Sequence, residues 1–445
     1  MRISILKRSI LGLCALMHAS LAMATSTPVD LWDLYIETRN ADPRILRAEA
    51  LEKSSEGRQR ESLGRLLPQL GGNASFNHSL REDDLARSRY NGQAYSLGLS
   101  QLLYAPQAWR SYQKFSALTR QSTFEHEEAR VQASIDLAER YFATLAAEDE
   151  LHLTQAELDA TERNHARIES LFNKKMARVT DVLELQARVD LLKARTIEAA
   201  NQIEIDREAI TELIGRSLEQ PLKRLAAQPN FLPPQQSQDF WVETALHSNP
   251  ALQAKVQAMD AAQAALSEAK AGHLPTLAFD LSAQRSDIGY EGTATPRSDT
   301  YVASLGVQIP LYSGGSTQAR VSSLHAELDA AQYEHEALRR QVVRETRTAY
   351  LNLQASLSRV TALQLALASA ERSRTATEQA FSYGVMNAVD VLDSIEMEFR
   401  AKRDLLQSQY HYVTSLLVLH RWSGRLSDTD IRQVNSWLTV SGTDR

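Results

Sequence analysis

The 445-residue chain has one cysteine, Cys14, and it lies in an N-terminal segment with the pattern of a secretory signal. A basic start is followed by the apolar run 10–17 and by small residues that end at Ala24. We expect the signal to span residues 1–24. The mature chain would then have no thiol, which excludes disulfides, cysteine nucleophiles and cysteine metal sites.

Excess positive charge is also lacking. Without the three cations of the signal, 46 basic residues face 55 acidic ones, which gives a net charge of −9. A chain of this charge is a poor candidate for binding nucleic acid. No stretch of the mature sequence is apolar enough over eighteen residues to predict a membrane-spanning helix. An exported chain without such a helix is left with the periplasm, secretion, or a β-structure in the outer membrane.

Catalytic motifs are missing as well. The eleven histidines include no HExxH pair, and the sequence has neither a phosphate-binding glycine loop nor a GxSxG elbow. The tripeptides at 125–127 and 334–336 both read Glu-His-Glu, but adjacent residues point around a helix in different directions, so a solvated helix face is the preferred interpretation. We expect no enzyme activity, no cofactor and no metal site.

The sequence contains a tandem repeat: the motifs of the first half recur in the second half, about 207 to 209 residues later. A period of this length indicates duplication of a whole structural unit. We predict a first repeat at 25–220, a linker at 221–237, a second repeat at 238–425 and a tail at 426–445. The matches include Asp42-Pro43 with Asn249-Pro250, Leu67-Pro68 with Leu274-Pro275, Asp181-Val182-Leu183 with Asp390-Val391-Leu392, and Gly215 with Gly424.

Each repeat predicts the same order of elements. Two helices come first, and then the hydrophobic period changes from 3.6 to 2, which indicates two strands with one apolar and one small or polar face. A proline-free helical pattern of more than sixty residues follows, then a tight loop and a returning helix. The predicted segments are the strand turns 81–93 and 286–300, the long helices 107–172 and 317–381, the tip loops 173–178 and 382–387, and the returning helices 180–216 and 389–422.

Four amphipathic strands cannot close a membrane barrel alone, because unpaired edges are too costly in lipid. Bacterial single-chain barrels begin at eight strands. The chain would therefore have to oligomerise, and a dimer would supply eight strands whereas a trimer would supply twelve.

The repeated motifs resemble those of the TolC-like outer-membrane channel family. They are Asn40-Ala41-Asp42-Pro43 and Ser248-Asn249-Pro250, Leu66-Leu67-Pro68-Gln69-Leu70 and His273-Leu274-Pro275, Leu311-Tyr312-Ser313-Gly314-Gly315, and the Asp-Val-Leu after each helical tip.

The resemblance covers residues 31–424 and implies an α+β fold made mostly of long α-helices. It implies a homotrimer with a shared twelve-stranded β-barrel in the outer membrane and a periplasmic α-helical barrel. Such a channel would export proteins or small molecules through a type I secretion or efflux system, together with a periplasmic adaptor and an inner-membrane pump of the ABC or RND type. Because Leu13 before Cys14 does not suit lipidation, the chain is more similar to the type I secretion branch.

By this resemblance, Asp390 and Asp393 would form a ring of carboxylates at the periplasmic entrance. The two residues are three positions apart and so share one helical face. The alternative is ordinary helix capping, with Asn387 as N-cap and Asp390 in the first turn. Thr180 and Asp181 match the position at which the family links neighbouring hairpins to hold the entrance shut.

The two tip loops would contact the adaptor, through Lys174, Lys175, Arg178, Gly384 and Asn387. Gly384 corresponds to Lys175, so we expect the two turns to differ, with a positive φ at the glycine. The family's latch can use a tyrosine and an arginine where this chain has Phe381 and Met386. We expect the latch to be weaker here, or rebuilt around the cations of the first tip.

A second class of function stays open at this point. The long helices alone would also suit a soluble periplasmic coiled-coil adaptor or scaffold. The strands favour the channel, because an adaptor has no use for two hairpins that each carry an apolar face.

Overall fold

The computed structural model describes residues 27–82, 87–226, 229–288 and 297–439. The predicted signal at 1–24, the centres of both predicted strand turns (83–86 and 289–296) and residues 440–445 of the predicted tail lie outside the described residues.

The element order of the first half recurs in the second half. The first set is α1 (Leu31–Ala41), α2 (Pro43–Gly64), β1 (Gln69–Glu82), β2 (Arg87–Tyr104), α3 (Pro106–Asn173) and α4 (Val179–Ile214). After the short strand β3 (Arg224–Leu225) come α5 (Gln238–Ser248), α6 (Pro250–Ala271), β4 (Thr276–Ile288), β5 (Ser298–Gln308), α7 (Ser316–Ser382) and α8 (Ala388–Trp422). The chain then forms α9 (Asp428–Asn435) and β6 (Leu438–Thr439).

The helix starts follow from local chemistry. The side chain of Asp42 accepts a hydrogen bond from the Arg44 amide, and the side chain of Asn249 accepts one from the Leu252 amide. In both cases the next residue is a proline at the first helical position, where its missing N–H costs nothing. The predicted starts of α2 and α6 are therefore confirmed.

Helices α3 and α7 contain 68 and 67 residues. At 1.5 Å per residue each is roughly 100 Å long. Their predicted bounds are confirmed to within one residue. In the ranges that the structure describes, no helix has both the length and the apolar character that crossing a bilayer requires.

Four strands form one antiparallel sheet in the order β1-β2-β4-β5. The register places Leu99 of β2 between Leu70 of β1 and Leu281 of β4, and it pairs Phe279 with Leu305 across β4 and β5. Paired residues share a face, so these side chains form one apolar surface, in which Leu70, Leu281 and Leu305 are exposed and Leu99 and Phe279 are half-buried. The two predicted hairpins are confirmed, and the pairing of β2 with β4 joins them into a single sheet.

The strand turns predicted at 81–93 and 286–300 are too long. Strand β2 already starts at Arg87, where it pairs with Glu82, and β4 continues to Ile288. The alternation of apolar and polar residues fades in these segments, but backbone pairing does not require an apolar face. The hydrogen-bonded pairing of the strands therefore extends into segments whose sequence predicts a turn.

The largest apolar core lies midway along the helices. Leu31 and Leu34 of α1 pack there with Tyr141 of α3 and Val413 of α8. Ile431 of α9 belongs to the same core, along with Val434 and Leu438, so the residues after Gly424 fold back onto the helices. Strand β6 pairs with β3, which fixes this return.

Helix α8 lies against two neighbours. It packs along α7, its own hairpin partner, and also along α3 of the other hairpin. Close contact between α3 and α8 therefore joins the two long hairpins within one chain, and brings their tips together.

Candidate functional site

The two hairpin tips end in the same turn. The Met176 amide donates to the Leu171 carbonyl at 2.8 Å, and the Lys175 amide donates to the Phe172 carbonyl at 2.7 Å. This is a Schellman motif, and its C′ residue, Lys175, has φ 62°. The expectation that the two turns differ at this position is wrong, because the hydrogen bonding of the motif imposes a left-handed residue whatever its side chain.

The second tip repeats this geometry with a glycine. The Val385 amide donates to the Ala380 carbonyl and the Gly384 amide donates to the Phe381 carbonyl, both at 3.0 Å. Gly384 has φ 74°, which confirms the positive φ predicted for it. This conformation has a steric cost for Lys175, which carries a Cβ atom, and almost none for Gly384, which does not.

The starts of the returning helices do differ. Asn387 caps α8 in a capping box, in which the Asp390 amide donates to the Asn387 side chain at 2.9 Å and the Asn387 amide donates to the Asp390 carboxylate at 2.8 Å. Arg178 precedes α4 without a side-chain cap. The capping role of Asp390 is therefore present, whether or not the residue also lines an entrance.

Asp390 and Asp393 occupy the first two turns of α8. Asp390 is half-buried and Asp393 is exposed. Only one oxygen of the Asp390 carboxylate serves the cap, and the second takes part in no hydrogen bond or ion pair among the described residues. In the first tip, the Thr180 hydroxyl lies 3.3 Å from Asp181, so these two residues contact each other within one chain.

Phe381 anchors the second tip against the first. It contacts the apolar cluster of Ile168, Leu185 and Leu392, and also the cluster of Val391, Ile395 and Phe399. The Arg167 guanidinium lies over its ring at 4.6 Å from the centroid. The contact of Arg167 was not predicted. A basic residue on a long helix does not by itself indicate that it will contact an aromatic ring 214 positions later in the sequence.

Behind the tips, one buried carboxylate binds two arginines. Glu157 of α3 is 1% exposed and contacts Arg188 of α4 at 2.8 Å and Arg403 of α8 at 2.6 Å. Arg188 also reaches Glu396 at 3.1 Å. These ion pairs join three helices, so they hold the two hairpins together near the candidate entrance.

A second buried carboxylate holds α7 to α8. Glu398 accepts hydrogen bonds from Arg374 and, at 2.6 Å, from Lys402. Burial by itself would raise the pKa of Glu398, but the hydrogen bonds from these two cations outweigh it and hold the pKa below its usual value. Glu398 is therefore ionised at neutral pH.

The tip loops present cations and apolar side chains to solvent. Lys174, Lys175 and Arg178 take part in no ion pair among the residues the structure describes. Three exposed side chains of the tips were not predicted from the sequence: Met176 at 72%, Tyr383 at 82% and Val385 at 78%. These large apolar residues lie in tip loops, outside any helical period. Their position could have predicted a contact surface, because an exposed apolar patch is typical of one.

Over the described ranges, no group of three His, Cys, Asp or Glu side chains could hold a metal ion. The first Glu-His-Glu does not act as a unit either, because His126 contacts Glu52 of α2 at 2.8 Å.

Comparison with known proteins decides the family. The family model described as outer membrane efflux protein matches residues 34–216 and 241–425, which is most of the chain. The chain belongs to the outer membrane efflux protein family. The resemblance inferred from the repeated motifs is confirmed.

Two curated relatives match over most of both chains. Outer membrane protein TolC of Vibrio cholerae is 28% identical, covering 93% of this chain and 94% of its own length. The alkaline protease secretion protein AprF of Pseudomonas aeruginosa is 27% identical, with 86% and 82% covered. The solved structure of the outer membrane protein VceC from Vibrio cholerae has a TM-score of 0.78 at 17% identity, with 88% and 96% covered.

This chain is an outer-membrane channel for efflux and type I secretion, and its long helices form the periplasmic tunnel. The family consists of non-enzymatic channels. The family membership therefore favours the channel over the alternative hypothesis of a soluble periplasmic adaptor or scaffold.

Proposed function

We propose that three copies of this chain form one conduit that carries substrates from a periplasmic adaptor and inner-membrane pump across the outer membrane. The observation that carries the proposal is the open four-stranded sheet, whose outer strands β1 and β5 have no partner on their far edges within the described chain. An open edge is too costly in lipid, so β5 of one copy would pair with β1 of the next. Three copies give twelve strands.

The entrance of this conduit would be formed by the hairpin tips. Asp390 and Asp393 of three copies bring six carboxylates together, and such a ring favours cations or is blocked by them. The exposed Asp393 and the free oxygen of Asp390 support this role. Thr180 and Asp181 would link neighbouring hairpins in the closed state, and the hydrogen bond between them within one chain places both groups at the first tip.

The tips would dock the adaptor. Lys174, Lys175 and Arg178 supply unpaired charge, and Gly384 and Asn387 shape the second turn beside the exposed Tyr383 and Val385. Charge reversal at Lys174 and Lys175 should then reduce export while channel assembly is preserved. Export at the normal rate by the double variant would argue against docking through these lysines.

We place the channel in the type I secretion branch, with a protein as cargo. AprF is named for secretion of an alkaline protease, and the similarity to it spans most of both chains. The type I secretion and efflux branches can be distinguished by expressing the chain in a host that lacks its own channel. Both the secretion of a type I substrate and the resistance to small toxic compounds are then measured. Restored resistance without restored secretion would favour efflux.

The trimer is tested by the mass of the detergent-extracted complex together with conductance in a planar lipid bilayer. We expect three protomers per particle and stable single-channel currents. A monomer without channel activity would contradict the proposal. Because the one cysteine, Cys14, lies in the predicted signal, cysteine pairs placed on β1 and β5 would provide crosslinks without background once the signal is removed.

A further inference from the structure

A cleft of about 530 Å³ lies behind the tips, between α3 of one hairpin and α7 and α8 of the other. This volume is in the range of small-molecule sites. Its lining combines cations, two carboxylates and apolar side chains. The cations are Arg163, Arg167, Arg374 and Lys402, and the carboxylates are Glu378 and Glu398.

Only part of this positive charge is neutralised. Arg374 and Lys402 contact Glu398, and Arg374 also pairs with Glu378 at 2.7 Å. Arg163 and Arg167 have no carboxylate partner among the described residues. They are four positions apart on α3, where like charges repel, so the cleft has two cations that a bound anion would stabilise.

A residue with a buried amide also lines the cleft. Asn164, between the two arginines in sequence, is 7% exposed and lines the cleft, and its Nδ2 donates to no acceptor in the described parts of the chain. A buried donor without an acceptor costs free energy that a ligand oxygen would recover. The amide is therefore an independent indication of a ligand that accepts hydrogen bonds.

Part of the cleft wall on α8 is apolar. Val391, Ile395 and Phe399 of α8 form one cluster, and Ala160 of α3 packs against it. A bare inorganic anion would leave this wall uncovered. A ligand with an apolar body could cover it while its charged group reached the arginines.

We propose that this cleft binds an amphipathic organic anion. Its carboxylate or sulfonate contacts Arg163 and Arg167 and accepts a hydrogen bond from Asn164, while its hydrocarbon or aromatic body lies on Val391, Ile395 and Phe399. Because the cleft is lined by both hairpins, the ligand joins α3 to α7 and α8. Occupancy stabilises the contact between the tips and reduces opening, and this last consequence rests on the proposed function.

Isothermal titration calorimetry on the detergent-solubilised complex tests the site, with 2-naphthoate as probe. We expect saturable binding of one probe per protomer. The uncharged 2-naphthamide and inorganic phosphate should each bind at least about tenfold more weakly, since one lacks the charge and the other lacks the apolar body. Equal affinity of 2-naphthoate and 2-naphthamide would overturn the proposal.

Variants locate the binding. The double variant Arg163→Gln with Arg167→Gln should lose at least about tenfold in affinity. Asn164→Asp should lose as much, because it places a carboxylate where the probe's own carboxylate would lie. The control is Arg372→Gln on α7, which removes an exposed cation that does not line the cleft, and it should keep the wild-type affinity.

Probe that partitions into detergent gives the same heat with every variant, so a double variant indistinguishable from wild type would overturn the site. Conductance with 2-naphthoate present tests the consequence for opening separately. Because Arg167 also lies over the Phe381 ring, Asn164→Asp is the variant for this comparison. A lower open probability with the probe in wild type but not in Asn164→Asp supports the effect. Saturable binding with unchanged conductance would retain the site and overturn its effect on opening.

Discussion

Arg167 of α3 lies over the ring of Phe381 at the end of α7, 4.6 Å from the ring centroid, and so joins the two hairpins next to their tips. Where the family's latch can use a tyrosine, this chain has a phenylalanine with no hydroxyl to donate. The contact that holds Phe381 is therefore apolar and cation–π in character.

We predict that Phe381→Leu weakens the closed arrangement of the tips. The change removes the cation–π contact and part of the packing against Ile168 and Val391, at a cost of about 1 kcal/mol. Single-channel recordings should show a higher open probability. The control is Tyr383→Leu, which removes an aromatic ring that is 82% exposed and should leave gating unchanged. If both variants behave alike, Phe381 is not a latch.

The carboxylate ring predicts a change in ion selectivity. Asp390→Asn with Asp393→Asn should reduce cation selectivity and weaken block by divalent cations, because six negative charges per trimer are removed. Asparagine at 390 can still accept the hydrogen bond from the Asn387 amide, so the helix start survives. Glu184→Gln, at the position in the first tip that corresponds to Asp393, is the control. Unchanged reversal potentials in a salt gradient would remove these aspartates from the entrance.

The left-handed conformation at Lys175 and Gly384 predicts that introducing a glycine stabilises the first tip and that removing the glycine destabilises the second. Lys175→Gly should stabilise the first tip by about 0.5–1 kcal/mol, because glycine adopts φ 62° without a steric cost. Gly384→Ala should destabilise the second tip by about 1 kcal/mol for the converse reason. Thermal unfolding midpoints measure both. Lys174→Gly, one position earlier and at negative φ, should give no stabilisation.

Glu157 predicts a large loss of stability. Glu157→Ala should cost about 3–5 kcal/mol, because Arg188 and Arg403 lose the buried carboxylate that they share. Glu162→Ala is the control, since it breaks an exposed pair with Lys193 between α3 and α4 and should cost at most about 1 kcal/mol. Similar unfolding midpoints for the two variants would show that burial adds nothing here.

The lowered pKa of Glu398 predicts acid lability near the tips. Because the pKa is lower in the folded state, this stabilisation is fully present above the ordinary glutamate value of 4.5 and is lost as the pH falls through the folded-state value. The difference in unfolding midpoint between wild type and Glu398→Gln should therefore shrink on acidification below pH 4.5. A constant difference down to acid-induced unfolding would mean that this carboxylate does not titrate there.

Much of the architecture follows from the sequence. The long proline-free patterns predict α3 and α7 because helix propensity and a 3.6-residue period act locally. The Asp-Pro and Asn-Pro pairs predict the starts of α2 and α6 for the same reason. The strand ends were less predictable, since β1 and β2 continue to pair at Glu82 and Arg87, where no apolar face is needed.

The candidate site was predicted less completely. Asp390 and Asn387 could be identified as a helix start because their hydrogen bonds join residues three positions apart. Arg167 and Phe381 could not, because their contact joins two hairpins that are far apart in sequence. The same holds for Glu157 with Arg403, and for the cleft beside Asn164.

The sequence by itself determined the tandem duplication, the helices and strands of each repeat and the family, since these depend on local period, turn chemistry and matching motifs. Only the tertiary structure decided that β2 pairs with β4 and that α8 packs against α3. Contacts between distant segments depend on how the helices pack in three dimensions, and a periodic pattern does not specify which neighbour each helical face meets.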